Sequence, residues 1–246
     1  MKQLFTLLAQ KWPKYLIEMV VITVGILGAF MLDSWNDNRI EHNKELNYLA
    51  NIKADIGLNI TSLEEFIIAR KSSIQSVNTI LPYFNGKELR NFHQFNYNNL
   101  AVLDWYPFVQ HANTMNELIS SGNLSLISNK SILHQIQEMQ TNYEDIFFVE
   151  NEMQQDYERY LYQPYFNLID LEVALLNYSN QINELDSNNI EKLNKLDLEQ
   201  LLTNKLYKNG LVLSSYNSNI LVDRYSKMIK KSHQIITMID NQIASQ

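Results

Sequence analysis

The chain contains no cysteine at all. That removes disulfides, thiolate metal sites and cysteine nucleophiles together, and it fits an envelope protein that avoids oxidation as well as a cytosolic one. Glycine and proline are scarce, with 6 and 4 in 246 residues. Sandwiches and barrels need many turns, so this scarcity points to long, seldom-interrupted helices. No alternating strand pattern of any length competes with the helical one. Positive charge is also short: 20 basic against 27 acidic residues leave a net −7. Lys2, Lys11 and Lys14 give residues 1–14 a local +3 with no acid, so the remainder carries −10 (−7 less +3). An acidic body lacks the basic face that neutralises phosphates, and no nucleic-acid partner is expected.

Familiar catalytic signatures are missing too. The five histidines (His42, His93, His111, His134, His233) form no H-E-x-x-H and no i,i+4 pair. There is no E-x-x-H for a di-iron bundle, no glycine-rich phosphate loop and no G-x-S-x-G around Ser120-Ser121-Gly122. Glu158-Arg159 are adjacent, which puts them on different sides of a helix. Carboxylate pairs such as Glu64-Glu65 and Glu150-Glu152 read as solvated helix faces. The expectation is a protein with no metal, no cofactor and no enzymatic activity.

What is present begins with one long apolar run. Tyr15 to Leu32 holds a single charge, Glu18. As a helix it reaches roughly 27 Å, close to the ~30 Å hydrocarbon core of a bilayer. Trp12 and Tyr15 at one end and Trp35 at the other suit the membrane interface. Glu18 lies one turn inside, within reach of headgroup depth and of Lys14. The run is longer than a signal-peptide core, and GAFMLDSW offers no good cleavage site. Lysines before it and Asp33 and Asp37 after it favour an inner-membrane anchor with a cytoplasmic N-terminus and a periplasmic body. Gly25 and Ala29 have the small-xxx-small spacing that lets membrane helices pair closely. The expected organisation is a basic cytoplasmic segment (1–14), a transmembrane anchor (15–35) and an extracytoplasmic helical domain (36–246).

In that domain Leu49, Ile56, Ile60, Leu63, Ile67, Ile74, Val77 and Leu81 recur at steps of four and three, with Lys53 and Arg70 filling two slots. Pro82 should end this helix. Residues 82–113 are aromatic-rich and carry two prolines, suggesting loops and short helices that cap a bundle. Tyr83, Phe84, Phe92, Tyr97, Trp105 and Tyr106 are candidates for a partner or ligand surface, or else packing that closes the helix ends. A short helix over 113–121 should stop at a left-handed Gly122, with Ser128 capping the next helix. That helix carries Ile132, Ile136, Met139, Tyr143, Ile146, Glu150, Met153, Tyr157 and Tyr160 and should end before Pro164. Further helical patterns cover 165–184 and short pieces around 193–206. Gly210 suggests a break or a local bend before a last helix from about Leu211 to Ile243, whose seam includes Tyr216. The fold class is all-α: an N-terminal transmembrane helix followed by a long-helix antiparallel bundle.

Two segments resemble a family of single-pass inner-membrane proteins of Bacteroidota, a domain of unknown function. The first is KYLIEMVVITVGILGAFMLDSWNDNR, with Glu18, Val24 to Leu27 and Trp35-Asn36 at the family's early glutamate, V-G-I-L core and W-N dipeptide. The second is NELISSGNLSLISNKSILHQIQEM, where Leu118, Ser121, Gly122, Asn123, Leu124, Ile127 and Asn129 match a mid-chain S-G-N-L pattern. Met31 to Ser34 depart from the neutral, amide-bearing stretch usual there. The resemblance implies a single-pass topology and no assigned activity. The expected role is a membrane-anchored interaction or scaffold protein that forms a homo-oligomer or binds another envelope protein. The alternative is an extracytoplasmic ligand-sensing module working with a membrane partner.

Overall fold

The computed structural model describes residues 2–179 and 197–245. The described residues are helical and connecting segments, with no strand among them. Helix α1 runs unbroken from Lys2 to Ile80, 79 residues, so the apolar span and the first helix of the bundle are one element. Its most apolar 18-residue window has a mean hydropathy of 2.2 and none of it is buried. It is the one helix among the described residues long and apolar enough to cross a membrane. Burial begins at Glu45 and Leu49, leaving residues 36–44 mostly exposed between the span and the bundle.

From there α1 buries Leu49, Ile52, Ile56, Ile60, Leu63 and Val77 along the seam read from the sequence. It stops before Pro82, as the proline dictates, and a 3-10 turn (Tyr83–Asn85) follows, closed by Gly86 at φ 94°. Next come α2 (Phe92–Leu103), α3 (Asn113–Ser120), a 3-10 turn (Asn123–Leu126) and α4 (Lys130–Asp156). After a π-helical turn come α5 (Gln163–Leu168), α6 (Leu171–Ser179), α7 (197–203) and α8 (Lys205–Ala244). The patterns expected over 180–184 and 193–196 lie outside the described residues.

Helix α8 packs against both α1 and α4 and is antiparallel to each. Lys53 meets Asp240 at 2.5 Å near one end of the α1–α8 pair, and Lys208 reaches Asn85 at 2.6 Å near the other. Glu138–Lys231 and Asp156–Asn217 fix the same opposed sense for α4 and α8. The core includes Leu118, Ile132, Ile136, Ile146, Met153, Leu211, Leu221, Ile235 and Ile239. Each such fully buried aliphatic side chain is worth about 1.5–3 kcal/mol.

Three boundary expectations are corrected. Gly122 does end its helix in the left-handed region (φ 71°), but Asn129 rather than Ser128 caps α4, accepting from Ser131 and Ile132. Ser128 gives its N–H and its hydroxyl to Glu45, both at 2.7 Å, which fastens the start of α4 to α1. Pro164 does not stop the helical run. A π-turn over Tyr157–Tyr162 shifts the ladder, Gln163 donating to Glu158 five residues back, and Pro164 enters the first turn of α5. Nor does Gly210 break α8. A Cβ there would lie 2.8 Å from the Tyr160 carbonyl oxygen and 2.8 Å from Leu161 Cδ2, so glycine is where α8 touches the π-turn.

Candidate functional site

Residues 104–112 join the end of α2 to the start of α3 without forming a helix. They lie between α1 and α4 as a strap, whereas the sequence reading has the whole 82–113 region closing the bundle end. Backbone N–H and C=O groups placed inside a bundle must find partners. Here side chains from the helix seams supply them. Arg70 donates to the Tyr106 carbonyl at 2.7 Å. The Phe108 N–H points at both oxygens of Glu150, each at 3.1 Å. Asn59 holds both sides of His111, giving its amide hydrogen to the carbonyl at 2.8 Å and accepting from the N–H at 2.7 Å. Asp55 accepts from the Thr114 N–H at 2.9 Å, and Gln110 bonds Gln140 at 3.0 Å.

The register explains the match. From Arg70 to Asn59 α1 rises about 16 Å, and extended chain from Tyr106 to His111 covers about 16 Å. Arg70 and Asn59 are therefore polar seam residues because the strap's backbone lies against them. Glu150 is 2% exposed and not on a solvated face; only its neighbour Glu152 is exposed. Tyr225 also donates its hydroxyl to Glu150. Burial raises the Glu150 pKa above the usual carboxylate range, offset in part by Tyr225, by the Phe108 N–H and by the charge of Arg70. Burial likewise raises Tyr225 and Tyr143 well above the ordinary phenol value, and pushes Tyr162 up to about 12. Tyr225 and Tyr162 stay protonated and donate, Tyr225 to Glu150 and Tyr162 to the Leu103 carbonyl at 3.0 Å. Arg70, 4% exposed, lays its guanidinium over Phe66 and Trp105, with ring centroids 5.9 and 5.7 Å away. Arg70 Nε, Ser73 Oγ and Trp105 Nε1 are buried without a protein partner. The Glu150 oxygens are engaged by the strap and by Tyr225, so this cluster works as a clasp for residues 104–112.

The aromatic candidates divide between core and surface. Phe84 is buried against Phe95 and Tyr207. Tyr83 and Phe92 are half-buried, Tyr83 edge-on to Phe95. Trp105 is half-buried against Tyr157, and Tyr106 is exposed and edge-on to Phe66. Tyr97 is exposed. They do not form one patch. Trp12, Lys14, Tyr15, Glu18 and Trp35 are exposed along α1, with Arg39 over the Trp35 ring at 5.4 Å. Lys14 and Glu18 make no ion pair within 4 Å. Gly25 and Ala29 are also on the surface, and a Cβ at Gly25 would meet nothing within 4 Å. Among the described residues no group of three or more His, Asp or Glu side chains is placed to hold a metal ion.

The site that sequence reasoning missed is a cleft of about 480 Å³ on the open side of α4 and α8. Its floor includes Val149 and Ile220, and Asp145, Glu152 and Asp156 line it together with Arg224. Phe148 and Tyr216 stand beside it at 61% and 63% exposure, so Tyr216 is not a core residue as its seam position suggests. A smaller cleft of about 270 Å³ continues it toward Glu138 and Lys231, sharing Asp145 and Arg224. Acids at 138, 145 and 152 and polar residues at 231, 224 and 217 recur at seven-residue intervals, and this double heptad was the available signal. Comparison of the chain with protein-family models, with curated proteins and with solved structures finds no match to any of them.

Proposed function

We propose that this chain is a membrane-anchored helical scaffold of the bacterial envelope. It sits in the inner membrane with residues 1–14 in the cytoplasm, and its periplasmic bundle holds a second copy or another envelope protein. The observation that carries this reading is the continuity of α1, which serves as the apolar span and as a core helix of the bundle with no linker between. A partner gripped by the bundle is thereby held at a set height above the bilayer. The basic residues before the span, the acids after it, and the resemblance carried by Glu18, Trp35-Asn36 and the S-G-N-L motif support the same reading. A second reading, a ligand-sensing module, is favoured by one observation: the partnerless donors Arg70 Nε, Ser73 Oγ and Trp105 Nε1.

A C-terminal alkaline phosphatase fusion tests the topology, and an inactive fusion overturns it. Crosslinking in native membranes, with and without Gly25→Leu, tests the scaffold. A discrete crosslinked complex is expected; a lone monomer in mild detergent overturns the reading. A change in Trp105 fluorescence on adding small polar solutes, in a Trp12→Phe, Trp35→Phe background, would favour the sensor instead.

A further inference from the structure

Acids and bases cross the open side of the α4–α8 pair at regular steps. Glu138 meets Lys231 at 2.7 Å. One heptad further along α4, and one back along α8, Asp145 meets Arg224. The next step sets Glu152 against Asn217, which has no charge. Asn217 gives its amide hydrogen to Asp156 at 3.0 Å, and among the described residues no ion pair or hydrogen bond reaches the Glu152 side chain. At this step the cleft widens to about 480 Å³ between Phe148 and Tyr216. The ladder thus lacks its third cation where two large aromatic side chains stand in solvent.

We infer that this step is a docking groove for an amphipathic helix of another protein. That helix brings a lysine or arginine to Glu152 and Asp156 and an apolar face to Phe148, Tyr216 and Ile220. The cleft follows α4 from Asp145 to Asp156, a rise of about 16 Å or three helical turns, which is the scale of helix-in-groove recognition. Charge selects a basic guest, because the two acids at this step have no cation of their own. A second copy is the wrong occupant. Two chains anchored in one bilayer in the same sense present this step at the same height, and a two-fold contact through this face would set Glu152 and Asp156 against their own counterparts. The inference deepens the scaffold reading and rests on it for the anchored geometry.

The test uses the full chain in zwitterionic nanodiscs and an 18-residue leucine–lysine helical peptide read by fluorescence anisotropy, with its leucine–glutamate counterpart as control. The parent chain binds the lysine peptide in preference to the glutamate peptide. Glu152→Gln weakens binding roughly two- to fivefold, the scale of one ion pair at an incompletely buried surface. Asn217→Lys completes the ladder internally and weakens binding at least as much, without lowering the melting temperature, so lost binding is not lost folding. Glu64→Gln, on the exposed face of α1, changes nothing. Equal binding by parent, Glu152→Gln and Asn217→Lys, or equal affinity for the two peptides, overturns the groove. So does a homodimer joined through Phe148→Cys, which would be the sole thiol of the chain. A native-membrane complex that survives Asn217→Lys sinks the groove and leaves the scaffold standing. Peptide discrimination with no native complex does the reverse.

Discussion

Gly57 and Gly210 offer a matched pair of substitutions. Both lie inside long helices, α1 and α8, where glycine is about 1 kcal/mol worse than alanine. A Cβ added at Gly57 meets nothing within 4 Å. One added at Gly210 lands 2.8 Å from the Tyr160 carbonyl oxygen and 2.9 Å from Tyr160 Cβ. The oxygen belongs to backbone held in the π-turn, so it cannot swing aside as a side-chain tip could. Gly57→Ala should therefore stabilise the bundle by about 0.5–1 kcal/mol. Gly210→Ala gains the same propensity and adds an overpacking cost of about 1–3 kcal/mol. The two variants should differ by about 1–3 kcal/mol, and each kcal/mol moves the melting temperature about 2–4 °C in a domain of this size. Circular dichroism of the full chain in mild detergent, melted or titrated with urea, measures the difference. If Gly210→Ala stabilises as much as Gly57→Ala, the close approach of α8 to the π-turn is wrong, and so is the reason given for Gly210.

Three further outcomes follow from the strap and its neighbours. Asn59→Ala strips both backbone groups of His111 and should destabilise by about 2–4 kcal/mol, with faster amide exchange confined first to residues 104–112. The raised pKa of Glu150 means that the folded chain holds this proton more tightly than the unfolded one. Stability from this group is fullest below the unfolded value of about 4.3 and declines as pH rises through its raised folded value. Glu138, lowered by Lys231, acts in the opposite sense, so the parent-minus-Glu150→Gln difference isolates the effect; a pH-independent difference refutes it. Gly122→Ala forces a side chain to φ 71° and should cost about 1–2 kcal/mol, with Gly122→Asn milder, as read by urea midpoints.

Much of the fold was legible because long helices write their packing into the sequence at a fixed period. The α1 seam from Leu49 to Val77, the stop at Pro82 and the turn at Gly122 are all local facts about backbone and periodicity. Where the reading failed, the cause was a partner distant in sequence. Arg70 stood out as a polar slot in the seam, yet nothing local says that the Tyr106 carbonyl lies against it. Glu150 looked solvated beside Glu152 because a helix face is assigned by neighbours, and its partners are Phe108 and Tyr225. Pro164 and Gly210 were read as punctuation, but both lie at the π-turn, one in the first turn of the helix that follows it and one pressed on it from α8. The α4–α8 cleft was spread over two heptads some eighty residues apart, running in opposite directions.

Anchored as proposed, the unbroken α1 would also make the protein a lever. From Trp35 to Ile80 the helix extends about 68 Å with no joint, so a tilt of about 10° at the bilayer carries the far end roughly 12 Å sideways. Bilayers that differ by a few ångströms in thickness impose tilts on this scale. A displacement too small to register at the lipid surface is thus magnified at the tip, where the 3-10 turn at Tyr83 and helix α2 ride on the end of α1.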